Sequence, residues 1–301
     1  MIGKAIDGKA HAAAIRAQVK ERIANCKTPP HLAVILVGEN PASMLYITNK
    51  KKACEEIGIK FSLYTLAKDV PEEVVLETVN KLNANNAIHG ILTQQPFPKH
   101  ICKENIVRAI LPEKDVDCLH PFNLGLVAQG IPTFCPCTPS GVITLLKWEG
   151  VTISGKHAVI IGRSDIVGKP LAFMLLNENA TVTICHSKTR NLAEICRYAD
   201  ILVAAAGQPK LVTANYVKDG AVVIDTGINR KNGVLCGDVD FESVISKAAY
   251  ITPVPGGVGP MTIAILMENC VKAWELQTIG VKNKIQLVTN SNQLTSEDNN
   301  V

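Results

Sequence analysis

Apolar positions along the chain switch between two periods. Ala12, Ile15, Val19 and Ile23 recur at helical spacing, and Pro29-Pro30 ends that segment. Residues 32–37 form an aliphatic run with the length of a buried strand. Asn40 followed by Pro41 reads as an N-cap with proline in the first helical position, opening a helix to about Ile57 that Gly58 stops. Residues 60–66 alternate at the strand period, 71–82 are helical and 88–93 are strand-like. Strands separated by helices of about 10 to 15 residues predict right-handed βαβ units and a parallel sheet.

Residues 132–139 hold three prolines and two cysteines without a period, which marks a domain boundary. Thr138-Pro139 then opens a helix that ends near Gly150. A second series follows, with strands predicted at 157–161, 181–185, 201–206, 221–225 and 250–254 and helices between most of them. The last helix, 260–276, carries Ile263, Leu266, Met267, Cys270, Val271 and Trp274 on one stripe. No strand follows it, so it is expected to return to the first domain. The predicted fold class is α/β, with two domains built on parallel sheets, the second of Rossmann type, and a cleft between them. The expected division is 1–139 plus 264–283, then 140–263, with 284–301 as a loose, polar tail.

Composition narrows the class further. Hydrophobic residues make up 47% of the 301, charged residues 19% and aromatics 4%. That excludes a disordered chain and implies a core of Val, Ile, Leu and Ala, as in parallel sheets covered by helices. A net charge of +4 is too small to predict a nucleic-acid partner. A membrane span needs about 20 apolar residues, far more than the six-residue runs at 32–37 and 201–206, so no membrane association is expected. Ten cysteines are scattered without a CxxC pair, so no metal is expected. Lys4, Asp7 and Lys9 interrupt any leader-like segment, and the cysteines read as reduced side chains in a cytoplasmic protein.

Candidate chemistry lies at strand ends. Ala158 to Pro170 reads as strand, glycine turn and helix start, with Gly162 at the turn and Gly168 where the helix packs close. Ser164 stands where the dinucleotide fingerprint places its second glycine, so the segment is either a phosphate-binding turn or a plain tight βα turn. The next strand ends in Cys185-His186-Ser187-Lys188-Thr189-Arg190, with no acid to bind a ribose hydroxyl. Together with Arg163, these basic and hydroxyl groups favour NADP over NAD if a dinucleotide binds; otherwise they are solvated surface charges. Tyr46 and Lys50 lie four apart on one helix face, a spacing shared by packing pairs. Gln94 ends a strand where a parallel sheet opens, either as a loop hydrogen-bonder or as a substrate contact. Asp115 and Asp117 form an acidic turn. Pro253-Val-Pro255-Gly256-Gly257-Val-Gly259-Pro260-Met-Thr262 joins a strand to a helix with three glycines and reads as a ligand-binding loop.

Six motifs in order carry a resemblance. They are Leu36-Val-Gly-Glu-Asn-Pro-Ala-Ser43 with Tyr46-x-x-x-Lys50-Lys-Lys-Ala53, Gly90-Ile-Leu-Thr-Gln94, Lys114-Asp-Val-Asp117, Pro136-Cys-Thr-Pro139, Gly162-Arg-Ser-Asp-Ile-Val-Gly-Lys-Pro170, and the 253–262 loop. Over residues 6–273 the chain resembles the bifunctional methylenetetrahydrofolate dehydrogenase/methenyltetrahydrofolate cyclohydrolase family. The resemblance implies folate in the cleft between the domains and a role in one-carbon metabolism and purine biosynthesis. It implies Lys50 as the central catalytic residue, Tyr46 stacked near the pterin, Gln94 hydrogen-bonded to the lysine and Asp117 as pterin anchor. It further implies that Pro255, Gly256, Gly259 and Thr262 contact folate, that Gly162, Arg163, Ser164, Ser187 and Ile228 hold NADP, and that the protein is a homodimer. Three positions depart from the family pattern: Gln95 where Leu is common, Cys118 where Gly is common, and Leu119 where Phe is frequent.

The implied reactions are hydride transfer from the folate methylene bridge to NADP and hydration of the resulting methenyl cation to formyl-folate. The second needs proton transfer. An unperturbed lysine, with a pKa of about 10.4, is no base at neutral pH, so Lys50 needs burial or a neighbouring cation. Lys51, Lys52 and the substrate cation are the candidates for the charge. The nucleotide loop alone also admits an NADP-dependent dehydrogenase of another small imine or carbonyl substrate. A nucleotide-binding module without turnover, in which Lys50 is dispensable, is the reading from a different class.

Overall fold

The computed structural model describes residues 3–231 and 233–297, and its strands form two separate parallel sheets and a small hairpin. In chain order the first elements are β1 (Lys4–Ala5), α1 (Gly8–Ile23), β2 (His31–Val37), α2 (Pro41–Ile57), β3 (Lys60–Leu66), α3 (Glu72–Ala84) and β4 (Gly90–Gln94). Asp7 starts α1 by accepting the N–H groups of Lys9 and Ala10 at 3.1 Å each. β2 is central in the first sheet, paired in parallel with β3 and β4. All seven of its residues are buried, which explains an aliphatic run without alternation.

Two short helices, α4 (Lys103–Ala109) and α5 (Pro121–Ala128), lead to α6 (Cys137–Trp148). The second half runs β5 (His157–Ile161), α7 (Gly168–Asn177), β6 (Thr181–Cys185), α8 (Leu192–Cys196), β7 (Ile201–Ala204), β8 (Val222–Asp225), the antiparallel hairpin β9 (Asn229–Lys231) and β10 (Val234–Cys236), α9 (Phe241–Val244), β11 (Tyr250–Ile251) and α10 (Val258–Glu297). The second sheet has the order β1-β11-β8-β7-β5-β6 with every pairing parallel. Strand order reverses at β5, so its carboxyl end is the switch point where such sheets open a crevice.

The largest hydrophobic cluster belongs to neither sheet alone. It runs from Val19 of α1 through Leu36 of β2 and Ile47 of α2 to Leu145 of α6, Ile160 of β5 and Met267 of α10. α10 packs against α1, α2 and α6 and touches β2 and β4. Smaller clusters cover the far faces: Ile35, Val79 and Ile106 on the first sheet, and Leu202, Val223 and Val244 on the second.

The structure corrects the sequence reading at four points. β1 lies on the edge of the second sheet, because Lys4 and Ala5 pair with Tyr250 and Ile251, although the first domain was expected to hold the whole amino-terminal segment. α10 begins at Val258 and is continuous, so the expected division at 263/264 falls inside one helix. The expected loose tail from residue 284 is helical to Glu297, since extending an existing helix needs no new nucleus; residues 298–301 of that tail lie outside the described residues. The strands expected at 201–206 and 250–254 end sooner, at Ala204 and Ile251, and the one expected at 221–225 starts one residue later, at Val222. Among the described residues no helix is long and apolar enough to cross a membrane, and no group of three His, Cys, Asp or Glu could hold a metal ion.

Candidate active site

α2 presents Tyr46 and Lys50 one turn apart, facing the end of β4. Lys50 Nζ donates to Gln94 Oε1 at 2.9 Å, and Gln94 Nε2 donates to the Gln95 carbonyl at 2.9 Å. The second bond fixes which end of the Gln94 amide meets the lysine. Burial holds Lys50 below the ordinary lysine range, while the charge of Asp117 and, more weakly, the Cys137 and Cys54 thiols act the other way. Desolvation is thus the dominant cause. Of the candidate cations, neither Lys51 nor Lys52 is among the causes of this shift.

Asp117 sits in a loop that its neighbour organises. Asp115 is buried and accepts the N–H groups of Leu119 at 3.1 Å and His120 at 2.8 Å, together with Asn123 Nδ2 at 2.8 Å. Asp117 remains partly exposed beside Lys50. Cys118 has φ +56°, the left-handed region that strains a residue with a Cβ by about 1–2 kcal/mol, which is why glycine suits this position. Its side chain is fully buried, with Sγ 3.2 Å from the Phe134 carbonyl, so this departure is taken up by the core and not by the cleft. The other two departures, Gln95 and Leu119, both line a separate small cavity of about 170 Å³ with Leu124 and Ile166.

The main cavity, about 550 Å³, lies between α2 and the loop after β11. Of the residues expected at the site it is lined by Tyr46, Ile228, Pro255, Gly256 and Gly259. Lys50, Gln94 and Asp117, each half-buried, are not on this lining. Thr262 is not on this wall; its hydroxyl lies 3.0 Å from that of Thr138, joining α10 to α6. Gly257 also lines the cavity and serves chain packing as well, since a Cβ there would lie 2.7 Å from the Pro253 carbonyl and from the Thr252 Cβ. Burial raises the Tyr46 phenol above its usual range, against the opposing charge of Arg230.

Sequence reasoning missed Thr226, Gly227 and Arg230, which also line the cavity. They follow the carboxyl end of β8, and the run Asp225-Thr226-Gly227 after a strand was the available signal. It missed Lys9 and Arg16 as well, for which only tertiary packing of α1 brings the side chains to the wall.

At the switch point, Gly162 has φ +139° and its N–H donates to the Cys185 carbonyl at 2.8 Å. A side chain there would collide with the Ala205 carbonyl, so only glycine lets the chain turn between the ends of β6 and β7. Ser164 Oγ accepts the N–H groups of Val167 at 3.2 Å and Gly168 at 3.4 Å, ordering the entry to α7. Arg163, Ser164 and Ser187 are exposed around this helix start. A glycine turn, a helix amino terminus and an exposed Arg fit a dinucleotide's phosphates. Ile228 lies apart from this group, on the main cavity.

Known proteins resemble the chain over both of its halves. The model of the tetrahydrofolate dehydrogenase/cyclohydrolase catalytic domain matches residues 6–117, and that of the NAD(P)-binding domain of the same family matches 136–278. The bifunctional protein FolD of Agathobacter rectalis is 54% identical over 272 residues, covering 89% of this chain and 98% of that protein. FolD of Bacillus mycoides is 53% identical over 277 residues, covering 91% and 97%. The crystal structure of the bifunctional FolD methylenetetrahydrofolate dehydrogenase/cyclohydrolase from Campylobacter jejuni superposes with a TM-score of 0.89 at 49% identity, over 91% of this chain and 99% of that one. The Trypanosoma brucei enzyme, solved with NADP and an inhibitor, gives 0.89 at 40% identity, over 92% and 99%. With both halves matched, the chain belongs to the tetrahydrofolate dehydrogenase/cyclohydrolase family.

Proposed function

We propose that Lys50, Tyr46, Gln94 and Asp117 carry the two reactions of this family on one bound folate. The chain oxidises methylenetetrahydrofolate to the methenyl cation with NADP and hydrolyses the cation to formyltetrahydrofolate. NADP, when bound, accepts the hydride. The observation that carries the residue assignment is the Lys50–Gln94 hydrogen bond in a buried setting beside Asp117.

Each group has a physical task. Tyr46, on the cavity wall, offers a flat face to the folate ring system, and Pro255, Gly256 and Gly259 close the opposite side. Asp117 supplies an acceptor for ring N–H groups. Burial gives Lys50 a neutral amine at lower pH than a solvated lysine, so it can take a proton from the attacking water. Gln94 Oε1 holds the amine in line, with its own amide fixed by Gln95. Thr262 acts by fastening the start of α10 to α6.

Gly162, Arg163, Ser164, Ser187 and Ile228 form the proposed nucleotide set. Preference for NADP over NAD is supported by Arg163, Ser187 and Lys188 and by the lack of an acid directly after β6. We also read the protein as a cytoplasmic homodimer. Exposed Phe173 and Leu176 on α7 and Ile184 on the edge strand β6 support the dimer. The packing of α10 on α1 and α2 supports assigning this helix, from Val258 on, to the catalytic unit, with β1 contributed to the sheet of the nucleotide-binding unit.

The function is tested by following methenyl-folate and reduced cofactor absorbance together after adding methylenetetrahydrofolate. Reduced cofactor should rise while the methenyl species is consumed. Reduction of NADP with lasting, stoichiometric methenyl-folate would contradict the hydrolytic half, and no reduction would contradict both.

A further inference from the structure

We propose that Asn269 of α10 is a positioning residue for Asp117, clamping the loop that presents this carboxylate to the folate ring. The inference rests on the reading of Asp117 as substrate anchor.

Asn269 is buried among Leu266, Met267, Cys270 and Val271 on the apolar stripe of α10. An amide in such a place is unfavourable unless it is hydrogen-bonded. Its Nδ2 donates to the Val116 carbonyl at 2.9 Å and to the Cys135 carbonyl at 2.8 Å, which uses both of its N–H bonds. Val116 immediately precedes Asp117. Cys135 belongs to the segment that leads into α6. One side chain therefore ties two loops to each other and to α10.

Two thiols bind the same loops. Cys118 Sγ lies 3.2 Å from the Phe134 carbonyl, and Cys137 Sγ lies 3.6 Å from the Val116 carbonyl. Asp117 is thus flanked on both sides by residues fastened to 134–137. Thiols are weak donors, so the amide of Asn269 is the strong polar member of this set. Nothing in the arrangement touches the nucleotide turn at Gly162. A clamp of this kind should alter folate binding and the Asp117–Lys50 distance and leave NADP binding alone.

The test is steady-state kinetics of Asn269→Leu, Asp117→Asn and the double variant, with the cyclohydrolase pH profile of each. Leu has a size close to Asn and no donor. Asn269→Leu should raise the KM for methylenetetrahydrofolate about tenfold, a loss of about 1.4 kcal/mol, with the KM for NADP within about twofold. Its pH limb should move to lower pH, as in Asp117→Asn, because a displaced carboxylate no longer favours the charged lysine. The double variant should bind folate no worse than Asp117→Asn alone. An unchanged folate KM and pH limb in Asn269→Leu, equal losses for both substrates, or additive losses in the double variant would overturn the inference. An Asp117→Asn protein with normal folate KM would overturn the anchor reading and this inference together; a defective one beside an additive double overturns the inference alone. If Asn269→Leu does not fold, Asn269→Ser, with one short donor, is held to the same outcomes.

Discussion

Gln95 shows how one residue can serve the site through its backbone and burden the fold through its side chain. Its carbonyl orients Gln94, while its Nε2 is, among the described residues, the one buried side-chain nitrogen or oxygen without a hydrogen-bond partner. An unpaired buried donor costs about 1–3 kcal/mol. Gln95→Leu should therefore stabilise the protein by about 1 kcal/mol in denaturant unfolding with kcat unchanged, and a lower midpoint would refute this. Lys50 gives a second prediction. Its neutral fraction grows as pH rises through its lowered value, so the cyclohydrolase rate should rise with pH and level off below pH 10.5. A limb at or above the solvated lysine value would contradict the role of burial. The residue types and spacing of Tyr46, Lys50 and Gln94 were legible from the chain. The direction of Asp117's effect on Lys50 was not, because it depends on a contact between residues far apart in sequence.

At the scale of elements, β2 and β4 are joined by a histidine pair. The His31 N–H donates to His89 Nδ1 at 3.1 Å, and the His31 ring lies 2.8 Å from Ser62 Oγ and 3.1 Å from the Ala87 carbonyl. Protonating His89 at Nδ1 destroys that acceptor. Burial, then the charges of His31 and Lys114, push His89 down to about 4, and burial also lowers His31. Between about pH 6.5 and 4 the unfolded chain binds more protons than the folded one. The contribution is therefore complete above 6.5 and is lost as pH falls toward 4, on the order of 2 kcal/mol. Chemical denaturation across this range should show the loss, and His89→Asn, which keeps an acceptor, should flatten it; an unchanged slope would refute the assignment. The long periodic elements around this pair were readable because their apolar pattern persists for several turns or strand repeats. α4, α5 and the two-residue β1 were not, since seven, eight and two residues are too few to show a period.

For the whole molecule, one continuous apolar core around α10 joins residues of both sheets. The sequence period identified α10 as a helix, but its contacts with α1, α2, α6, β2 and β4 belong to the fold. Nucleotide selection follows from the crevice at β5. NADP should exceed NAD in kcat/KM by more than tenfold, and Arg163→Ala should erase most of that margin through KM, for a lost phosphate contact of about 1.5–3 kcal/mol. Equal use of the two cofactors by the unaltered protein would contradict it. On the proposed reading, a buried Lys50, held by Gln94 beside Asp117, performs the proton transfer of hydrolysis. Its most direct test is the rate of methenyl-folate hydrolysis by Lys50→Met, with folding checked by circular dichroism. A native spectrum and a loss of about 10²–10⁴-fold are expected. A folded variant that still produces formyl-folate at a near-normal rate would contradict it.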